Sequence, residues 1–259
     1  MVKKVQKLPI LDLLVRRYPE YDREALRAYI DCRQVRVDNE TCVDPKSLYP
    51  LGSQVELVLP AYVSRGGLKL EHALRHWNLD VSDLVMLDAG SSTGGFTDCL
   101  LQHGALAVHA VDVGYNQLDY RLRVDDRVHV HERKNIMHVT ELDPLPDAAV
   151  ADLSFRSITG AASHILRLTT RKWMVSLIKP QFEVPKGTEG FHGVVDDAKL
   201  LREILMEIFL QLSREGVGVT DIIESPILGR KGNREFLALL DAEHGCREEE
   251  FVLKVGRFS

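Results

Sequence analysis

The segment Asp88-Ala-Gly-Ser-Ser-Thr-Gly-Gly-Phe96 constrains the fold of this chain more than any other. An apolar run of strand length, Asp83-Leu-Val-Met-Leu87, leads into it, and Phe96-Thr-Asp-Cys-Leu-Leu101 reads as the start of a helix. The glycines therefore occupy a strand-to-helix turn. A second apolar run, Ala105-Leu-Ala-Val-His-Ala-Val111, ends in Asp112. A glycine turn that lets a ligand approach the backbone, followed by an acid suited to ribose hydroxyls, is the layout of a doubly wound nucleotide site.

The spacing separates the possible ligands. A dinucleotide turn needs glycine at its first, third and sixth positions, whereas the glycines here are Gly90, Gly94 and Gly95. Asp88 sets a carboxylate at the expected ligand mouth, where it repels a pyrophosphate and suits a ligand carrying ammonium and sulfonium groups. S-adenosylmethionine (SAM) is such a ligand. A glycine-rich turn in an ordinary α/β protein is the plainer alternative.

From residue 83 onward the pattern alternates. Strands are expected at 84–88, 106–112, 127–130, 148–153, 173–178, 217–224 and 235–240, with a long helix over about 196–214. This predicts an α/β fold: an open, doubly wound, mostly parallel sheet with helices on both faces. A seventh strand inserted antiparallel would make it the Rossmann-like methyltransferase variant. Residues 8–59 read as a separate small α+β unit, with helices at 10–17 and 23–31 and strands at 34–39 and 54–59. Residues 60–67 read as a linker containing the flexible run Arg65-Gly66-Gly67. The domains expected are thus 1–59, an RNA-binding module, and 68–259.

Charge is unevenly spread. Residues 1–75 carry 13 Lys and Arg against 10 Asp and Glu, and the rest of the chain 20 against 28. A basic small unit beside an acidic large one suits RNA binding confined to one face. The candidate RNA contacts are Arg16, Arg17, Arg23, Arg27, Arg33, Arg36, Arg65, Arg230 and Lys231; a solvated basic face is the alternative. The four cysteines (Cys32, Cys42, Cys99, Cys246) lack metal-ligand spacing, and no apolar run approaches bilayer length. No signal peptide is recognisable, so a cytoplasmic protein with reduced thiols is expected, without metal or membrane partner.

Ligands of such sheets bind at the carboxyl ends of the strands. The polar residues there are Asp88, Asp112, Asp152 and Lys179, the last two following Ala148-Ala-Val-Ala151 and Trp173-Met-Val-Ser-Leu-Ile178. If those strands are neighbours, Asp152 and Lys179 meet beside the cofactor. A half-buried lysine that gives up its proton can serve as base towards an alcohol; a purely structural ion pair is the alternative. Taken alone, Lys69 and Glu235 read as solvated surface charges.

Seven ordered motifs resemble the TlyA (hemolysin A) family of bacterial ribosomal RNA 2′-O-methyltransferases. They are Arg65-Gly-Gly-Leu-Lys69, Leu87 to Phe96, Asp112-Val-Gly-Tyr-Asn-Gln117, Ala151-Asp-Leu-Ser-Phe155, Lys179-Pro-Gln-Phe-Glu183, Gly193-Val-Val-Asp196, and Ser225-Pro with Gly232-Asn-Arg-Glu235. Residues 8–59 resemble the ribosomal S-four-like RNA-binding module of that family. The resemblance implies an FtsJ-type methyltransferase domain with SAM as cofactor and rRNA or ribosomal subunits as partner. It implies a tetrad of Lys69, Asp152, Lys179 and Glu235, with Lys179 as base or hydrogen-bond acceptor for the ribose 2′-hydroxyl. It further implies that Gly90, Ser91, Thr93 and Gly94, with Asp88, Phe96 and Asp152 around them, hold the methionine part of SAM. Asp112 would take the ribose hydroxyls, and Asn135 with Ile136 the adenine edge. Where some members carry an Arg-x-Trp-Val linker, this chain has Pro60-Ala-Tyr-Val63. Three other functions are weighed: a non-catalytic ribosome-assembly factor on the same scaffold, a NAD-dependent oxidoreductase, and a cytolysin. The run Glu183 to Gly193 is expected to form a lid.

Overall fold

The computed structural model describes residues 6–154, 157–184 and 192–258, with the backbone alone at Arg230. The expected lid, apart from Glu183, Val184, His192 and Gly193, lies outside the described residues, as do Phe155 and Arg156. The chain forms two compact units, Met1–Pro60 and Ala61–Ser259.

The first unit runs β1 (Lys7–Pro9), α1 (Ile10–Arg17), α2 (Arg23–Asp31), β2 (Val35–Val37), β3 (Glu40–Thr41), β4 (Leu48–Pro50) and β5 (Val55–Leu57). Asp22 caps α2 by accepting the Ala25 N–H at 2.7 Å, which satisfies one of the free donors at the helix start. Asp38 and Asn39 both take positive φ, as a two-residue hairpin turn between twisted strands requires. That turn adds β3, which the expected strand 34–39 did not include. β3, β2 and β5 form one antiparallel sheet, and β1 with β4 another. Ile10, Leu14, Leu26, Ile30 and Val35 are fully buried at the centre.

The second unit continues with α3 (Gly66–His76), β6 (Val85–Ala89), α4 (Gly95–Gln102), β7 (Ala107–Val111), α5 (Tyr120–Arg123), β8 (Val128–His131), β9 (Ala148–Ala151), α6 (Ala162–Arg167), β10 (Trp173–Ile178), α7 (Ala198–Arg214), β11 (Gly218–Glu224), β12 (Phe236–Asp241) and α8 (Glu248–Val255). Its seven strands lie in the order β11-β12-β10-β9-β6-β7-β8. The pairs among β8, β7, β6, β9 and β10 are parallel, and β12 is antiparallel to both its neighbours. Two-sided burial explains why these strands read as near-continuous apolar runs. Leu87, Ala89, Val111, Ala149 and Met174 face one helical layer, and Met86, Val108, Ala110, Ala148 and Val150 face the other. The strand order reverses between β6 and β9. That switch point opens a crevice at their carboxyl ends.

Residues 60–67 divide differently from a simple linker. The second unit begins at Ala61, and Tyr62 is buried against Gly67, where no side chain would fit. α3 starts at Gly66, two residues before the expected 68. Asp98 on α4 accepts the Val63 N–H at 2.7 Å, and Gln102 donates to the Ala61 carbonyl at 2.9 Å. Gly67 is thus a close-packing position rather than part of a flexible hinge.

Candidate active site

The glycine turn is built by β6 and fastened to β7. Gly90 and Ser91 both donate their N–H groups to the Val111 carbonyl, at 2.8 and 3.2 Å. Gly90 has φ +88°, and a Cβ there would lie 2.5 Å from the Asp152 carbonyl oxygen. Only glycine accepts both the backbone angle and that approach. Gly94, at φ +94°, leads into α4. Ser91 and Phe96 are buried, and Thr93 is exposed.

Two cavities, each of about 420 Å³, open on this turn and share Gly90, Ser92 and Asp152. The first is lined also by Ser64, Arg65, Lys69, Ser91, Thr93 and Phe96. The second is lined by Asp112, Gln117, Lys134, Asn135, Ile136 and Leu153 among others. Asp112 is held by backbone on both sides: one carboxylate oxygen accepts the Ser92 N–H at 2.8 Å and the other the Gly114 N–H at 2.6 Å. Each oxygen keeps a lone pair for a ligand. Asn135 accepts the Met137 N–H at 3.0 Å, which fixes its side chain at the cavity wall.

Asp88 differs from expectation. It lies not at the ligand mouth but wholly buried, and lines neither cavity. Its Oδ2 accepts the Thr97 hydroxyl at 2.6 Å, while Oδ1 is buried with no hydrogen-bond partner. Burial pushes its pKa up to about 7, helped by the negative charges of Asp152 and Asp112 and opposed by the Thr97 hydrogen bond. It sits inward because it belongs to β6 itself, an interior strand of the sheet. A buried carboxylate oxygen with no donor is costly, and protonation relieves that cost.

The four remaining candidates form two ion pairs. Lys179, just beyond β10, pairs with Asp152, just beyond β9, and donates to the Leu153 carbonyl at 3.3 Å. The Lys179 side chain is 12% exposed. β9 and β10 are parallel neighbours, which brings the two residues together. Lys69 on α3 pairs with Glu235, just before β12. Their side chains are 10% and 5% exposed, so these are not the solvated surface charges that the sequence alone suggests. Lys69 and Asp152 line the same cavity, so one member of each pair faces it.

Sequence reasoning missed three contributors. Gly229 makes room for Glu235, since a Cβ there would coincide with the carboxylate. Thr97 holds Asp88. Asn233, 3% exposed, accepts the Val195 N–H at 3.3 Å and donates to the Gly193 carbonyl at 2.9 Å, tying that segment to β12. The motif Gly232-Asn-Arg-Glu235 contained Asn233, but only its Glu was read as functional.

Among the basic candidates, Arg16, Arg17, Arg33 and Arg36 are exposed on the first unit. Arg23 pairs with Asp12 at 2.8 Å and Arg27 with Asp31 at 3.9 Å, so their charge is partly spent. Arg65 is exposed at the rim of the first cavity, and Lys231 is exposed at φ +61°. The described residues contain no group that could hold a metal ion and no helix long and apolar enough to cross a membrane.

A seven-stranded sheet with one antiparallel insertion, and a glycine turn beside its switch point, define a Rossmann-like methyltransferase. The chain belongs to the FtsJ-like methyltransferase family, which matches residues 62–242. It is 44% identical over 181 residues to hemolysin A of Brachyspira hyodysenteriae, covering 68% of this chain and 75% of that one. It is 37% identical over 233 residues to the 16S/23S rRNA (cytidine-2′-O)-methyltransferase TlyA of Mycobacterium tuberculosis, covering 88% and 87%. The solved structure of a provisionally named hemolysin from Streptococcus thermophilus superposes with a TM-score of 0.72 at 33% identity, covering 98% of this chain and 96% of that one.

Proposed function

We propose that this enzyme transfers the methyl group of SAM to ribose 2′-hydroxyls of ribosomal RNA, on cytidines as the M. tuberculosis relative is named for. The observation that carries the reading is the Lys179–Asp152 pair, set at the carboxyl ends of β10 and β9 beside cavities shared with the glycine turn.

The residues present fit SAM. Gly90 admits a ligand against the backbone, and Asp112 offers acceptors for a ribose. Gly90, Ser91, Thr93 and Gly94 would hold the methionine part, and Asn135 with Ile136 the adenine. When bound, SAM supplies an electrophilic methyl on a sulfonium sulfur.

The chain's own residues must align and deprotonate a poor nucleophile. Lys179 accepts the proton of the 2′-hydroxyl, and the methyl group that SAM would supply would pass to the ribose oxygen as S-adenosylhomocysteine departs. Asp152 holds the lysine in place and then stabilises the ammonium that forms. Lys69 polarises the hydroxyl from the other side, and Glu235 fixes Lys69 and offsets its charge. The exposed arginines of the first unit, with Arg65, Arg230 and Lys231, hold RNA phosphates.

The test is methyl transfer from labelled SAM to rRNA by pure protein, followed by mapping of the modified positions. The expected product is 2′-O-methylcytidine in rRNA. Methylation of a base instead, or binding of rRNA without transfer, overturns the reading; the second result would mark an assembly factor.

A further inference from the structure

We propose that Tyr115 and Arg133 form a stacking platform for an unpaired base of the RNA substrate at the rim of the cofactor cavity. This rests on the RNA methyltransferase reading and extends it to a contact that the tetrad does not supply.

The Arg133 guanidinium lies 3.9 Å from the centroid of the Tyr115 ring. Tyr115 is 62% exposed, beside Val113 at 70%, and Arg133 is exposed too. An exposed cation–π pair contributes little to folding, so the fold gains little from displaying a tyrosine here. The loops that display it are nonetheless firmly built. Arg133 donates its N–H to the Gly114 carbonyl and Lys134 to the Asp112 carbonyl, both at 2.9 Å. Glu132 pairs with Arg123 at 2.5 Å. This pairing holds the Glu132 carboxyl below its ordinary range and spends its charge beneath the loop. Arg133 and Lys134, by contrast, form no ion pair among the described residues, which leaves two adjacent cations beside the ring.

The position matters as much as the chemistry. Asp112, Val113, Gly114, Gln117 and Lys134 all line the second cavity, so Tyr115 stands at its edge, between residues that form the wall. An aromatic face and a guanidinium plane are the two surfaces on which proteins stack unpaired bases. The uncompensated cations select a polyanion over a protein partner, and the continuity with the cofactor cavity places the base close to the reacting ribose.

The test compares Tyr115→Ala, Tyr115→Phe and Arg133→Gln with the wild type in equilibrium binding of rRNA across a salt series. SAM affinity and melting temperature are measured in parallel. Tyr115→Ala should weaken rRNA binding by about 10-fold without changing its salt slope, because loss of stacking releases no counterion. Tyr115→Phe should bind within about twofold of wild type, since the ring face remains. Arg133→Gln should weaken binding and reduce the slope by about one. SAM affinity and melting temperature should hold in all three. Wild-type rRNA affinity in Tyr115→Ala overturns the platform, as does equal loss in Tyr115→Phe. A parallel loss of SAM affinity would instead make the ring a wall of the cofactor site. A wild type that binds rRNA without methylating it defeats the proposed reaction and leaves the platform standing.

Discussion

Asp88 links folding stability to pH, and its burial sets the sign. Burial pushes its pKa up to about 7, well above the ordinary aspartate range. Each pH unit of difference corresponds to about 1.4 kcal/mol, so a shift of about 3 units represents on the order of 4 kcal/mol. For an acid with a raised folded-state pKa, the folded protein keeps a proton that the unfolded chain has lost. The stability this contributes is complete below about pH 4 and is lost as pH rises to about 7. Asp88→Asn stays neutral and can still accept the Thr97 hydroxyl. Urea unfolding of the two proteins from pH 5 to pH 8 cancels every other titrating group. The variant should gain on the wild type as pH rises, by about 3 kcal/mol across that window, and be the more stable at pH 8. Parallel stability curves for the two proteins would refute the reasoning.

Three further outcomes follow from the packing. Glu235→Gln strands the Lys69 ammonium at 10% exposure, so unfolding should become easier by about 3–5 kcal/mol and methyl transfer should fall; an unchanged melting temperature would contradict the buried pair. Gly90→Ala forces a Cβ to within 2.5 Å of the Asp152 carbonyl at φ +88°, so SAM binding should drop by an order of magnitude or more, and calorimetry showing wild-type affinity would exclude a close backbone approach. Removing residues 1–59 should leave SAM binding intact and abolish modification of structured rRNA. Affinity of the full chain for rRNA should fall steeply with salt as phosphate contacts release counterions; full activity of the shortened protein would count against RNA recognition by the first unit.

Much of this was legible in the sequence because two-sided burial leaves continuous apolar runs. The expected strands over 148–153 and 173–178 match β9 and β10 to within two residues, and their adjacency placed Asp152 beside Lys179. What escaped was set by contacts between distant segments. The burial of Lys69 depends on Glu235, 166 residues away, and neither residue carries a local sign of it. Gly66 and Gly67 read as flexible because glycine permits freedom; only packing against Tyr62 shows that at Gly67 it permits closeness. Asp88 reads from the sequence as a residue of the ligand mouth, since a strand's last polar residue gives no sign of whether it points outward or back into the fold, where it lies. The short β1, β3 and β4 are too brief for a periodic signal.

The most direct test of the central claim is turnover of Lys179→Arg with rRNA under saturating SAM. Arginine can keep the ion pair with Asp152, but it stays protonated and cannot accept the hydroxyl proton. Transfer should fall by at least about 10²–10⁴-fold while SAM still binds. Near-wild-type turnover would contradict proton acceptance by Lys179 and reduce it to a positioning residue.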